Sequence, residues 1–328
     1  MLGWTLLFAI GLAGALVLAG RHLLLPHLDR FAPRLEMLVS ERLGVPVRIE
    51  SLRGHLDGLK PALEIGALRI ADGELFEVRG LAAVLDWRSL WLLQPVFERL
   101  HVDSLAVRIE RLGPDHWQVA GRDIRPGAGP VPSDGRWPLP PWLLESSDLH
   151  VRQITLDYRD RETGERAVST RMSLDSTGRR GTRQLRIDAP ELKGPGGHFT
   201  LRARLGRDER LAGLVNRNWF GDAYFEYTGF DVGALVRLLR RPVPIDEGLL
   251  HAQGWFKLHD NRPRSARLAL TATDLRMSVD DVEAVLPTAR ADLETLWQGN
   301  GDLELRLRDA RATDRTGTEI ALGEGRSA

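Results

Sequence analysis

The chain has 328 residues, of which 45 are Lys or Arg and 45 Asp or Glu, giving a formal net charge of +0 at pH 7. That balance removes any simple electrostatic case for nucleic acid or an anionic membrane surface as partner. There is no cysteine, which excludes disulfides, cysteine-based zinc sites, iron–sulfur clusters and thiol catalysis.

The first element is Leu2 to Gly20, the uncharged run LGWTLLFAIGLAGALVLAG, closed by Arg21 and His22. As a helix it would be about 28 Å long, close to the hydrocarbon thickness of a bilayer. It has no polar face, as a core helix normally would. Residues 1–22 are therefore expected to form a transmembrane anchor. Its membrane contacts would be Leu2, Trp4, Leu6, Leu7, Phe8, Ile10, Leu12, Leu16, Val17 and Leu18, with Trp4 at one interface. A cleaved signal peptide is the other reading, and Ala13-Gly14-Ala15 offers an exit site. No Lys or Arg precedes the run, however, and the apolar stretch continues to Ala19, so the anchor is favoured.

Residues 23–45 hold an amphipathic helix. Leu28, Phe31, Leu35, Leu38 and Leu43 share one flank, while Arg30, Arg34, Glu36, Glu41 and Arg42 fill the other. Gly44 and Pro46 stop it. It packs on the end of a sheet or lies at the bilayer surface, and the sheet is favoured.

From Val47 onward the dominant period is two. Ile154, Leu156 and Tyr158 alternate with polar residues, as do Phe199 to Leu205, Leu250 to Leu258 and Leu303 to Leu307. Weaker alternation runs through Ala62–Ile70, Leu100–Ile109, Val168–Leu174, Leu185–Ala189, Ala223–Tyr227 and Ala266–Ala272. Strands with one apolar and one charged face, parted by short polar turns, predict antiparallel meanders. Nothing alternates with helices as a parallel sheet would require. The expected organisation is a β region at 46–124, a Pro/Gly-rich loop at 125–141, and a second β region at 142–312. Asp86–Leu93 reads as a short helical turn capped by Asp86, and Asp231–Arg241 as a helix ended by Pro242. Residues 313–328 read as the tail of a chain cut short, in which Glu319–Leu322 suits a further strand.

Catalytic constellations are not found. There is no Gly-x-Ser-x-Gly, His-Glu-x-x-His, Walker loop or dinucleotide fingerprint. Gly194–Gly197 reads as a turn between strands, and His251 and His259 are eight residues apart, too far to chelate one ion. Asp280, Asp281 and Glu283, ahead of Pro287, read as a solvated helix start and not a cation site. The expectation is a protein that is not an enzyme, without metal or cofactor.

The order of certain segments carries a resemblance. An N-terminal membrane helix is followed by Leu43–Ile49, then Leu63–Ile70, Trp87–Trp91 and Pro95–Leu105. Further on come Pro141–Leu144 with Leu149–Tyr158, then Gly194–Leu205 and Gly221–Leu238, leading into Pro242–Phe256. This order resembles the AsmA-like family of envelope proteins, and its YhdP-type members above all. The resemblance implies an inner-membrane anchor in a Gram-negative bacterium, a periplasmic body, and an elongated antiparallel β-groove with an apolar floor. It also implies carriage of phospholipid between inner and outer membranes. Proteins of this type are several times longer. At roughly 4.8 Å per strand, about a dozen strands advance a groove by only some 60 Å, so this chain would supply the inner-membrane end.

Alternation alone does not separate such a groove from a closed sandwich, because both place the same residue types inward. The resemblance favours the groove. Its candidate acyl-chain contacts are Ile154, Leu156, Met172, Leu174, Leu185, Ile187, Phe199, Leu201, Phe256 and Leu258. The expected fold class is thus mainly β, a transmembrane helix followed by the β-groove and a few short helices. The expected partners are phospholipid, the inner membrane through residues 2–20, and envelope proteins, with no nucleic acid. The alternative is a non-enzymatic envelope scaffold that assists outer-membrane assembly.

Overall fold

The computed structural model describes residues 29–30, 32–43, 45–71, 74–89, 96–113, 116–120, 122–124, 147–164, 166–179, 181–190, 197–207, 219–232, 245–259, 262–279, 282–297, 303–314, 316–321 and 325–327. The anchor at 2–20, the 125–141 loop and most of the expected 231–241 helix lie outside the described residues. Asp231 itself ends a strand. Among the described residues, no helix is long and apolar enough to cross a membrane. The described residues divide into two compact units at Arg166/Ala167.

In the first unit, helix α1 (Ala32–Leu43) lies along the edge of strand β1 (Val47–Ile49). Ser40 Oγ accepts a hydrogen bond from the Val47 amide at 2.9 Å, and Glu36 Oε1 one from the Ile49 amide at 2.6 Å. Asp29, just ahead of the helix, accepts from the Leu52 amide at 2.8 Å, where β2 (Leu52–Asp57) begins. An edge strand left with free donors is a template for another chain, and here the helix side chains satisfy those donors. The helix therefore sits on the sheet, and part of its polar flank faces backbone.

Strands β2, β3 (Lys60–Ile70), β4 (Phe76–Leu85) and β5 (Phe97–Gly113) follow in antiparallel order, with β1 also paired to β3. The pair β6 (His116–Val119) and β7 (Arg122–Ile124) extends from the far end of β5. Asp86, between β4 and β5, accepts the Arg88 amide at 2.8 Å, as its expected capping role requires.

One expectation fails in this unit. Strand β8 (Asp148–Asp160) pairs with β5 in parallel, from Arg99↔Asp148 to Arg111↔Asp160. A parallel pair needs a long crossover and not necessarily a helix. The connection through β6 and β7 is long enough to return the chain to the start of β5.

Residues at the far end of this pair form a buried polar cluster. Glu110, Arg111 and Asp160 are all buried. Arg161 donates two guanidinium nitrogens to the Glu110 carboxylate at 2.9–3.1 Å. Arg111 lies 3.6 Å from the Asp160 carboxylate and 5.6 Å over the Trp117 ring. Asp160 Oδ1 also accepts the amides of Glu162 and Thr163, closing the turn after β8.

The second unit is a meander. Strands β9 (Arg166–Arg179), β10 (Thr182–Ala189), β11 (His198–Arg207), β12 (Trp219–Asp231), β13 (Ile245–His259), β14 (Arg262–Val279), β15 (Val282–Trp297) and β16 (Leu303–Thr313) each pair antiparallel with the next. Both β17 (Glu319–Ala321) and β18 (Gly325–Ser327) pair with β16.

The acidic cluster before Pro287 corrects another expectation. Glu283 is in β15 and pairs with Ser278, so it stands on a strand and not at a helix start, while Asp280 and Asp281 lie outside the described residues. Pro287 falls at a gap in the register, beside Asp274 with φ of +53°. A residue without an amide donor is tolerated where the ladder is already broken.

Candidate functional site: the apolar sheet faces

Register places apolar residues of successive strands in rows across the second unit. One row is Leu174, Ile187, Leu201, Phe225, Gly254, Leu268, Leu293 and Leu307. Beside it run Leu185, Ala203, Ala223, Phe256 and Ala266. On the other side run Ala189, Phe199, Tyr227, Ala252, Leu270, Ala291 and Ala310. Residues two apart on a strand share a face, so these rows form one apolar surface across eight strands.

Burial within the surface divides by size. The small residues Ala189, Ala203, Ala252, Ala266 and Ala310 are buried between their neighbours. The larger side chains, from Leu174 and Ile187 to Leu268 and Leu293, are only half-buried. In the first unit, by contrast, Leu52 is 1% exposed and Val96 2%. A sandwich core would bury its large side chains first. Here the alanines are covered by their own row-mates, and the larger groups present their outer surfaces.

Aromatic rings gather in the middle of this face. Phe199 lies 6.3 Å from Phe225 and 6.2 Å from Tyr227, Phe225 is 5.7 Å from Phe256, and Tyr227 meets Phe230 edge-on at 5.0 Å. Burial in this apolar cluster pushes the Tyr227 phenol up to about 12, because the ionised form loses more hydration than the neutral one.

The first unit carries rows of its own. Ile49, Leu68, Val78, Leu105 and Ile154 form one, and Val47, Ile70, Phe76, Val107 and Leu156 the next. Beyond them the apolar phase shifts by one residue on all five tracks, to the row Leu52, Ile65, Leu81, Val102 and Val151. Gly80 marks this line with φ of +62°, and a Cβ there would fall 2.7 Å from Asp103 Cγ.

The ten expected lipid contacts thus fall into two groups. Ile154 and Leu156 belong to the first unit. The other eight lie in the second, where Leu174, Ile187 and Leu201 share a row and Leu185 and Phe256 the adjacent one. Phe199 takes the row on the other side, and Leu258 pairs with Gly221. Met172 is on β9 in phase with Leu174. The sequence reading passed over Phe225, Tyr227, Phe230, Leu268, Leu270, Leu293 and Leu307, which register brings onto the same surface. The alternation on β12 and β14 carried a signal for several of them. On β15 the interleaved Ala, Thr and acidic residues obscured it.

Outside the apolar surface, two carboxylates of the first unit are held in structural pairs. Burial would push the Asp157 carboxyl up, but hydrogen bonds from Arg166 and Arg159 outweigh it and hold it below its ordinary value. Hydrogen bonds from Arg69 and Arg79 hold Glu77 low. Among the described residues, no group of three or more His, Asp or Glu is placed to hold a metal ion.

Comparison with known proteins agrees with the direction of these observations. The family model described as YhdP protein matches residues 1–313. Among curated proteins, the intermembrane phospholipid transporter YhdP of Escherichia coli (strain K12) is 27% identical over 266 residues, which cover 76% of this chain and 19% of that protein. The chain therefore spans less than a fifth of that relative's length. No solved structure matches it.

Proposed function

The chain belongs to the YhdP family, and we propose that it is an inner-membrane-anchored periplasmic module that binds phospholipid acyl chains on its apolar sheet faces. In this reading residues 2–20 span the inner membrane once, and the β units receive lipid leaving that bilayer. Acyl tails lie along the rows through Ile187, Leu201, Phe225 and Leu268, while headgroups remain in water. No bond is made or broken. Tails are as apolar as the side chains, so sliding along the rows requires little desolvation. The module would contribute one end of a route between inner and outer membranes.

The observation that supports this reading best is the half-burial of the large apolar side chains across eight strands, while small neighbours such as Ala189, Ala203, Ala252, Ala266 and Ala310 are buried between them. An apolar surface of that extent in water is an aggregation hazard unless something covers it, and acyl chains are the cover that the relative's name suggests. Burial of one saturated tail stabilises the complex by about 0.8 kcal/mol per methylene at most.

The test is the lipid content of the purified protein. Mass spectrometry of the protein extracted from membranes is expected to find co-purified phospholipid. A Leu201→Asp, Phe256→Asp double variant is expected to lose most of it while remaining folded by circular dichroism and membrane-bound. Unchanged lipid content in that folded variant would overturn the reading and favour an envelope scaffold.

A further inference from the structure

The opposite, polar face of the second unit carries a cleft of about 940 Å³. Its centre is built from two adjacent cross-strand rows. In one, Arg202 faces Tyr224 and Tyr224 faces Trp255; in the other, Arg204 faces Asp222 and Asp222 faces Lys257. Three features set this patch apart from an ordinary solvated sheet face. First, the cleft is lined by five cations against three carboxylates in a chain whose overall charge is balanced. Arg204 and Lys257 have the single carboxylate of Asp222 between them.

Second, Arg202 stands directly opposite Arg186 on β10. Like charges in that position are destabilising. Arg186 is held by Asp188 on its own strand, which leaves Arg202 directed at the open cleft beside Tyr224. Third, Trp255 is 42% exposed among these charges, although an indole on a polar face forfeits the burial that normally retains it. It rests against the Tyr224 ring at 5.4 Å with the two planes tilted by 48°, so the rings make an angled aromatic platform beside Arg202 and Lys257, with the Tyr224 hydroxyl donating to Glu226 at 3.3 Å.

We propose that this cleft binds a phosphate ester. Arg202 and Arg204 would clasp the phosphate oxygens through charge-assisted, bidentate hydrogen bonds. Lys257 would add a point charge, and the Trp255–Tyr224 platform would support the organic part of the ligand. A volume of this size suits a small molecule or a lipid headgroup. The apolar rows alternate with these polar residues on the same strands, and Leu185 and Phe256 of the adjacent apolar row also border the cleft, so the site backs onto the acyl-chain surface.

The experiment is calorimetric titration of the purified protein at low ionic strength with three probes: inorganic phosphate, glycerol 3-phosphate and micelle-free dihexanoylphosphatidylglycerol. The wild type is expected to bind glycerol 3-phosphate or the short-chain lipid more tightly than inorganic phosphate. An Arg202→Ala, Arg204→Ala double variant is expected to lose about tenfold or more in affinity. An Arg290→Ala control, exposed on the same unit, is expected to lose none. Binding of glycerol 3-phosphate together with the lipid assigns the site to free phosphate esters, and binding of the lipid alone assigns it to a headgroup. Heat signals absent for all three probes at about 1 mM, or equal affinities in the wild type and the Arg202/Arg204 variant, would overturn the proposal. Loss of lipid from a Leu201→Asp single variant, whose changed residue does not border the cleft, with phosphate-ester binding retained would show that the two surfaces act separately.

Discussion

The ring of Phe225 lies over Gly254, its partner across the β12–β13 ladder, so closely that a Cβ at position 254 would fall within 2.6 Å of Cδ1 and 2.8 Å of Cζ. The glycine is a seat for the ring, and the ring supplies the apolar cover that glycine lacks. A Gly254→Ala substitution is expected to push Phe225 off the row and lower stability by about 1–3 kcal/mol, as overpacking does. Adding Phe225→Ala should recover part of that loss, because the two changes act on one contact. Urea midpoints of the two single variants and the double decide it: additive losses would refute the coupling.

Glu110 is buried, and its carboxylate is answered by the Arg161 guanidinium from the turn after β8. Removing Arg161 strands a buried acceptor, a change that costs about 1–3 kcal/mol. Arg161→Ala is expected to destabilise the first unit by that amount. In a Glu110→Leu background the same substitution should cost far less. Thermal unfolding of the four proteins measures the difference, and an equal cost in both backgrounds would remove the pair from the account of the β5–β8 junction.

Helix α1 protects the edge of β1 through side chains, so the protection can be cut without cutting the helix. Glu36→Ala removes the acceptor of the Ile49 amide, and hydrogen exchange at that amide is expected to accelerate. The amide of Val78, inside the β3–β4–β5 ladder, should not respond. Faster exchange at both would indicate general loosening of the sheet.

The Tyr227 phenol, raised to about 12 by burial, gives an alkaline signature. In the unfolded chain it ionises near its ordinary value of 10, while in the folded chain it stays neutral to about 12. The folded state therefore holds the proton more tightly, and the resulting stability is complete below pH 10 and lost as pH rises toward 12. Denaturant unfolding across that window should show less loss in Tyr227→Phe than in the wild type. Absorbance titration near 295 nm should show one phenol ionising late.

Asp157 acts at the other end of the scale. Its carboxyl is held low by Arg166 and Arg159 against the pull of burial. Its stabilising contribution is thus present above the ordinary carboxylate range and disappears as pH falls through and below it. Asp157→Asn is expected to flatten the acid limb of the stability curve for the first unit, and an unaltered limb would count against the role.

Much of this architecture was legible in the alternation. Strands such as β8, β11, β13 and β16 each showed apolar alternation over the runs named from the sequence, and period two set which residues of each run share a face, while register set the rows. Three features were not legible. The parallel pairing of β5 with β8 depends on where a long connection delivers the chain, which no local pattern records. Strand β15 was obscured because Leu293 is flanked on its inward side by Ala289, Ala291 and Thr295, small or polar residues that pair with Ala272, Leu270 and Ala266 on β14. The polar cleft was not legible because charged outward residues look alike until register sets Arg202 against Arg186 and Trp255 against Tyr224.

The parallel ladder of the first unit constrains the order in which the molecule can assemble. Arg108 meets Asp157 on the adjoining strand, 49 residues away, and no hairpin can zip that distance from a tight turn. Closing so long a loop must precede any gain from the contacts it brings, so the first unit waits for residue 160 before the pairing of β5 with β8 is complete. The meander beyond it can add one strand at a time, each docking on the last as the chain emerges. Refolding followed by pulsed hydrogen exchange would then find the earlier-synthesised half of the chain completing its sheet after the later one.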